Sequence, residues 1–423
     1  MAGRRFYGAM FGLVLGLAQP AGAEPMLPPQ APVEVLPLEI TIEGLGGAGG
    51  ERLRSELSDV QFVAVGEDHG FAEPPRLAAA LGQELAQTKG APVHHAVEVG
   101  PHTVDKVANV LRAEGLVGLD AIVDDQPSIM PFLANLDDAS LALPYARAGR
   151  LWGIDQEFIG SGPMLYALLA ARAHDPELRR TLGAWRDSDR AALAAGQFDK
   201  VSLSSLARAD FARLRQGFSD DPEALQMVDA LAESARIYQY NDVERYFENN
   251  DERGKLMAAY FLARYRAAKG PPPRVLFKMG AYHLGRGITP TSIFDLGSLL
   301  PGLAAASGKR SLHIAVVPIA GQVRAIAPGP QGLTKVSAYD EDVVAKLLAG
   351  AGIELDSLPA QGLALIPLEP IRQRMSGKVR RELPEFARFM LLGFDYLVTT
   401  RDAKAATHFE AWEPGMESRL VLQ

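Results

Sequence analysis

Phe62-Val63-Ala64-Val65-Gly66-Glu67-Asp68-His69-Gly70-Phe71-Ala72-Glu73-Pro74-Pro75-Arg76-Leu77 is the stretch whose reading sets the fold class. An apolar, β-branched run closed by glycine reads as a buried strand, and prolines just inside the next amphipathic stretch read as a helix start. Three carboxylates and an imidazole therefore crowd one strand-to-helix turn. In open parallel sheets ligands bind at such turns, where the carboxyl ends of strands meet the amino ends of helices. Read in isolation, the acids would be helix caps and His69 an ordinary loop residue.

Recurrence elsewhere favours chemistry. His94-His95-Ala96-Val97-Glu98-Val99-Gly100 ends a second apolar run with a carboxylate, and Leu151-Trp152-Gly153-Ile154-Asp155-Gln156-Glu157 ends a third in the same way. Arg274-Val275-Leu276-Phe277-Lys278-Met279-Gly280-Ala281-Tyr282-His283 closes a fourth with histidine. Strand, helix, strand, helices, strand from 61 to about 160 predicts right-handed crossovers in a mainly parallel sheet, with helices near 74–88, 102–115 and 129–148. Residues 161–270 carry leucine and alanine at helical spacing and no strand pattern. They read as a helical insertion over the strand carboxyl ends, with Tyr238, Tyr240, Tyr246 and Phe247 clustered late in it. Strands resume at 274–281, 312–318, 363–368 and 394–400, so 271–423 is the second part of the α/β domain. Residues 24–60 form a Pro/Gly-rich lead-in with one strand near 38–42, and Gly44 to Gly50 reads as a flexible turn.

The amino terminus bounds the setting. Arg4 and Arg5, an apolar core from Phe6 to Leu17 and Ala21-Gly22-Ala23 read as a secretory signal peptide over 1–23, too short in its core to span a bilayer. A periplasmic or secreted protein beginning near Glu24 is expected, with no transmembrane segment after cleavage. Losing both arginines takes the formal charge from -8 to about -10, which disfavours nucleic acid as a partner. Cysteine is absent, which closes the disulfide and thiol routes and leaves His, Asp and Glu as the metal ligands available.

Chemically, carboxylates flanking His69 fix its tautomer and raise its basicity, so it can take a proton from water attacking a carbonyl, with His283 or Arg76 stabilising the oxyanion. Gly-x-Ser-x-Gly does not occur, so water is favoured as the nucleophile. Glu67, His69, Glu98 and His283 equally offer two imidazoles and two carboxylates to a metal, without a His-Glu-x-x-His signature. Adjacent His94 and His95 point to opposite sheet faces and read as packing residues. Asn249 and Arg253, in Glu248-Asn249-Asn250-Asp251-Glu252-Arg253-Gly254, read as a solvated helix start.

Together these residues resemble the erythromycin esterase family and its wider superfamily, which takes in Tiki-type and ChaN-like proteins. Gly66-Glu67, His69, Glu73 and Arg76 match its first motif, Val97-Glu98-Val99-Gly100 its second strand end, and Trp152-Gly153-Ile154-Asp155 its aromatic-Gly-aliphatic-Asp element. Arg253 to Ala259, His283, and Phe394-Asp395-Tyr396-Leu397-Val398 followed by Ala406-Thr407 resemble the later elements. The resemblance implies an α/β fold with a helical insertion. It also implies hydrolysis of an ester, lactone or related carbonyl bond of a small-molecule substrate, with His69 as base among Glu67, Glu98 and His283. Glu73, Arg76 and Asp155 would then bind substrate, and no cofactor would be required. The one-residue spacing between Glu67 and His69 is nearer the ChaN-like form. That form implies the alternative, a haem- or metal-binding protein without hydrolytic activity, while loss of activity would leave a structural module.

Overall fold

The computed structural model describes residues 32–41, 44–329 and 332–409. The expected signal peptide, its cleavage point near Glu24, most of the proline-rich lead-in and Ile42 lie outside the described residues. The strands are β1 (Leu36–Thr41), β2 (Gly44–Gly46), β3 (Val60–Glu67), β4 (Val93–Val97), β5 (Leu151–Gly153), β6 (Arg274–Gly280), β7 (Arg310–Val316), β8 (Gly321–Gly329), β9 (Gly332–Tyr339), β10 (Leu363–Pro367) and β11 (Tyr396–Thr399). Nine of them form one sheet in the order β2-β1-β10-β11-β7-β3-β6-β4-β5. From β11 to β5 every pairing is parallel, whereas β10, β1 and β2 extend the sheet antiparallel. The expected α/β class with a mainly parallel sheet is what the chain adopts.

Alternation along β3 explains the layers. Phe62 and Ala64 face one side with Phe277, and Val63 and Val65 face the other with Leu276 and Ile314. The second face is covered by α1 (Gly47–Glu56) and α2 (Glu73–Gln87) through Leu53, Leu77, Leu81 and Leu85. Both faces are thus buried, as the apolar strands require.

Three local expectations need correction, and one element was not expected. Gly44 to Gly50 is no loose turn: it holds β2 and the first turn of α1. Gly47 has φ 70°, and a Cβ there would stand 2.6 Å from the Pro37 carbonyl oxygen, so glycine is required by a close approach. The helix expected at 129–148 begins only at Leu136, as α4 (Leu136–Arg147), because Asn135 caps it by accepting from the Asp138 N–H. Its predecessor α3 (Pro101–Asp125) runs past the expected end at 115, with a kink where Gly115 takes φ 67°. Finally, β8 and β9 form a hairpin the sequence reading did not anticipate. Its apolar residues Val323 and Ile326 in one strand, and Leu333 and Val336 in the other, fall at odd spacings, so no strict period-2 alternation marks the strands.

Residues 161–270 are helical as expected: α5 (Gly162–Arg172), α6 (Pro176–Ala194), α7 (Ser202–Ser205), α8 (Arg208–Gly217), α9 (Pro222–Asp242) and α10 (Tyr246–Ala267). Much of the block packs on α3, with Leu165, Leu182, Phe211 and Leu231 sharing a core with Val104, Leu111 and Leu119. In contrast, α10 lies on the first sheet face, where Phe261 meets Phe62 and Phe277 edge to face. The insertion reaches the carboxyl ends of β4 and β5 through α9 and α10: Ser234 and Tyr238 accept from the Glu157 and Ile159 N–H groups, and Arg253 turns inward. Among the described residues no helix is long and apolar enough to cross a membrane.

Candidate active site

Parallel pairing of β3, β6 and β4 sets their carboxyl ends side by side, with Glu67 opposite Gly280 and Val97 opposite Lys278. Glu67 is the last residue of β3 and His69 lies in the turn that follows. The imidazole Nδ1 sits 2.7 Å from Glu67 Oε1, and Nε2 is 3.5 Å from Glu98 Oε2. The ring stacks on Phe132, with centroids 4.0 Å apart and planes at 21°. Glu98, just past β4, accepts from the Gly280 N–H at 2.7 Å and from Arg253 at 2.8 Å. His283 Nε2 lies 3.4 Å from the same carboxylate, and its Nδ1 is 2.7 Å from Asp295, the cap of the helix Leu296–Ala305. Glu67, His69, Glu98 and His283 therefore meet in one cluster, with both imidazoles against Glu98.

Asp155, at the end of β5, takes two hydrogen bonds from Arg253, at 2.9 and 2.6 Å. It positions that guanidinium and faces no open space, since it is 4% exposed. Arg253 is thus no solvated helix-start residue. It lies well inside α10 and bridges two buried acids, because the α10 turn carrying it faces the β4 and β5 ends. Glu73 and Arg76 stand apart from the cluster. Glu73 accepts from the Lys404 N–H at 2.8 Å, while Arg76 donates to Asp137, which in turn accepts from the Thr407 N–H. They pin the segment after β11 to α2 and α4, and Arg76 is no neighbour of His69.

A cavity of ≈ 600 Å³ opens over Glu67 and His69. Its walls come from Asp120, Asp124, Phe132 and Asn135 on one side, from Arg324, Ile326 and Thr334 of the hairpin on another, and from Ala406, His408 and Phe409. A larger cavity, ≈ 720 Å³, lies between α2 and α4 and includes Arg76 but none of the cluster. Chemistry decides between them, and it lies with the smaller one. Glu98 and His283 adjoin His69 without lining this cavity.

Charges in the cluster are strongly coupled. Burial opposes ionisation of Glu98, yet His283, His69 and Arg253 outweigh it and hold the carboxyl well below its usual range. Burial likewise opposes the charge on Glu67, and Lys278 with His69 overcomes it. Burial pulls both histidines down, but Glu98 and Glu67 raise His69, while Asp295 and Glu98 push His283 up to about 10. His94 and His95 behave as packing residues: burial lowers both to about 4, His94 lies against Trp152, and His95 Nδ1 meets the Leu276 carbonyl.

The donor set does not suit a divalent cation. Both cluster carboxylates already hold cations, Lys278 at 2.6 Å from Glu67 and Arg253 at 2.8 Å from Glu98, so a metal would bring like charges into contact. Among the described residues no group of three or more His, Asp or Glu is arranged as a metal site.

Sequence reasoning missed Lys278, Asp138, Asp295 and Phe132. Lys278, buried on β6, bonds Glu67 Oε1 and Asp138 Oδ1 at 2.6 Å each. Its signal was a charge inside the run Leu276-Phe277-Lys278-Met279, whereas Asp138 and Asp295 look like ordinary helix-start acids.

Gly280 gives a direct test of the packing. Its φ of -51° suits any residue, yet an added Cβ would stand 2.9 Å from His69 Nε2. The ring is held by Glu67 and Phe132 and has little room to retreat. Gly280→Ala is expected to fold with near-normal circular dichroism and to displace His69, seen as a changed histidine side-chain NMR spectrum; an unchanged His69 signal would contradict this packing.

The mainly parallel α/β sheet with its helical insertion is a fold similar to that of an erythromycin esterase. A mutant of the erythromycin esterase EreC in its open conformation shares it, with a TM-score of 0.54 at 14% identity over 84% of this chain and 94% of that chain. A succinoglycan biosynthesis protein matches with a TM-score of 0.54 at 14% identity over 88% and 95%. A Bacillus cereus protein matches with 0.52 at 13% identity over 88% and 96%. No family model and no curated protein matches the sequence. The resemblance read from short motifs thus holds at the level of the fold.

Proposed function

We propose that the protein hydrolyses an ester, lactone or related carbonyl bond with water activated by His69. The observation that carries this reading is a cavity-lining imidazole whose Nδ1 is bound to Glu67 at 2.7 Å while Nε2 lies beside Glu98. In its neutral form His69 donates Nδ1–H to Glu67 and presents the Nε2 lone pair. A water seated at Nε2 and Glu98 gives its proton to Nε2 as its oxygen bonds to the carbonyl carbon. The imidazolium then returns that proton to the departing alkoxide, giving an acid and an alcohol. His283 and Arg253 are fixed cations that offset the negative charge growing in the transition state. The fold likeness to an erythromycin esterase supports a hydrolase of this kind.

The pH dependence has a definite sign. His69 is raised above 6.5 and acts as base only when neutral, so hydrolysis should climb with pH through a midpoint above 6.5. Stability runs the other way: the raised His283 contributes fully below its unfolded value near 6.5, and that contribution is lost as pH rises toward about 10. The depressed Glu67 and Glu98 stabilise above their unfolded values and lose this as pH falls through the folded ones. A panel of model esters and lactones, assayed across pH with and without chelator, tests the reading. An acid limb centred below 6.5 would remove His69 as base, and a Soret band with saturable haem binding and no turnover would favour the haem-binding alternative.

A further inference from the structure

We propose that Lys278 is the positioning residue of this site, holding the Glu67 carboxylate that orients His69 and tying it to the cavity wall through Asp138. The role assigned to His69 rests on the hydrolytic reading, but the geometry does not. Lys278 sits on β6 between β3 and β4, paired in register with Val65 and Val97, so its side chain enters the sheet edge beneath the turn that carries His69. It is 5% exposed, and its ammonium bonds Glu67 Oε1 at 2.6 Å, the same oxygen that meets His69 Nδ1 at 2.7 Å. With one oxygen shared by a lysine and an imidazole, the carboxylate cannot rotate without breaking both contacts. That fixes the ring plane and leaves Nε2 directed at Glu98.

At its other contact the ammonium bonds Asp138 Oδ1 at 2.6 Å, and Asp138 is held by Asn135, which donates to Oδ2 at 2.7 Å. Asn135 ends the segment that begins after α3 and carries Phe132 onto the imidazole. One buried cation therefore aligns the ring edge through Glu67 and the wall stacked on the ring face through Asp138. Burial opposes charge on Lys278, but Asp138 and Glu67 outweigh it and keep the ammonium protonated. The charged groups acting on His69 are Glu98 after β4, Glu67 of β3 and Lys278 of β6, while Asp120, Asp124, Asp138, Arg324 and His408 line the same cavity. Lys278 repels a proton on the ring, so losing it shifts His69 toward the protonated form.

Lys278→Met alone strands two buried acids and is expected to fold poorly. The charge-balanced pair Lys278→Met with Asp138→Asn removes one charge of each sign and keeps the fold testable. In the full chain it is expected to lower kcat about 10- to 100-fold on whichever model ester the wild type cleaves, with KM little changed and the acid limb moved to higher pH. Independently of turnover, histidine NMR should show the His69 Nδ1–H signal weakened or lost and its titration shifted upward. A folded double variant with wild-type kcat, pH profile and His69 titration overturns the proposal. If the wild type cleaves none of the esters, the hydrolytic reading falls and the NMR comparison alone decides the positioning role.

Discussion

Replacing His69 with alanine is expected to cut kcat/KM for ester hydrolysis by about a hundredfold to ten-thousandfold, the usual contribution of a general base, with stability almost untouched. The imidazole is partly open, at 29% side-chain exposure, and its ring face stacks on Phe132. Losing that stack costs about 0.5–1.5 kcal/mol. No charge is orphaned, since Glu67 keeps Lys278 and Glu98 keeps Arg253, His283 and the Gly280 N–H. Steady-state kinetics beside thermal melts give the answer. Equal losses of activity and melting temperature would make His69 a structural residue, and full turnover by the variant would end the proposed mechanism.

Arg253→Leu should fail in the opposite manner, through stability first. The guanidinium is the shared partner of Glu98 and Asp155, whose side chains are 3% and 6% exposed. Asp155 has its own Gln156 N–H contact, but among the described residues no other cation is shown bonded to it. Stripping one partner from a buried ionic group costs about 3–5 kcal/mol, because the remaining charges lack water and compensation. Leucine fits the apolar flank of α10 yet satisfies neither acid. Arg253→Lys should fall between, since a single ammonium cannot span both carboxylates as a guanidinium does. Denaturant unfolding measures the loss, and a leucine variant within about 0.5 kcal/mol of wild type, the range of ordinary surface changes, would show that the bridge contributes little.

The site was legible in the sequence wherever a strand delivers its functional group within a few residues of its own end. Glu67, His69, Glu98 and Asp155 follow apolar runs directly, and His283 lies three residues past β6. Parallel pairing then carries such groups to one edge whatever their separation along the chain. Glu73 and Arg76 share the first motif yet leave the cluster, because α2 rotates them toward Asp137 and Lys404. Arg253 looked like a solvated charge, since nothing within α10 reveals which turn meets the β4 and β5 ends.

By itself, then, the sequence determined the α/β class, the strands of the parallel sheet, the helical character of residues 161–270 and the convergence of Glu67, His69, Glu98 and His283. Those follow from periodicity and from chain direction, which are local properties. Tertiary structure alone decided strand order, and with it the contact of Lys278 with Glu67, since β6 must lie between β3 and β4 for an ammonium in mid-run to be buried against an acid. It also decided the cavity, whose walls come from residues 120–138, the β8–β9 hairpin and the segment through Phe409. The physical reason is that a buried charge is tolerated only beside its partner, and pairing between distant segments leaves no periodic trace in either one.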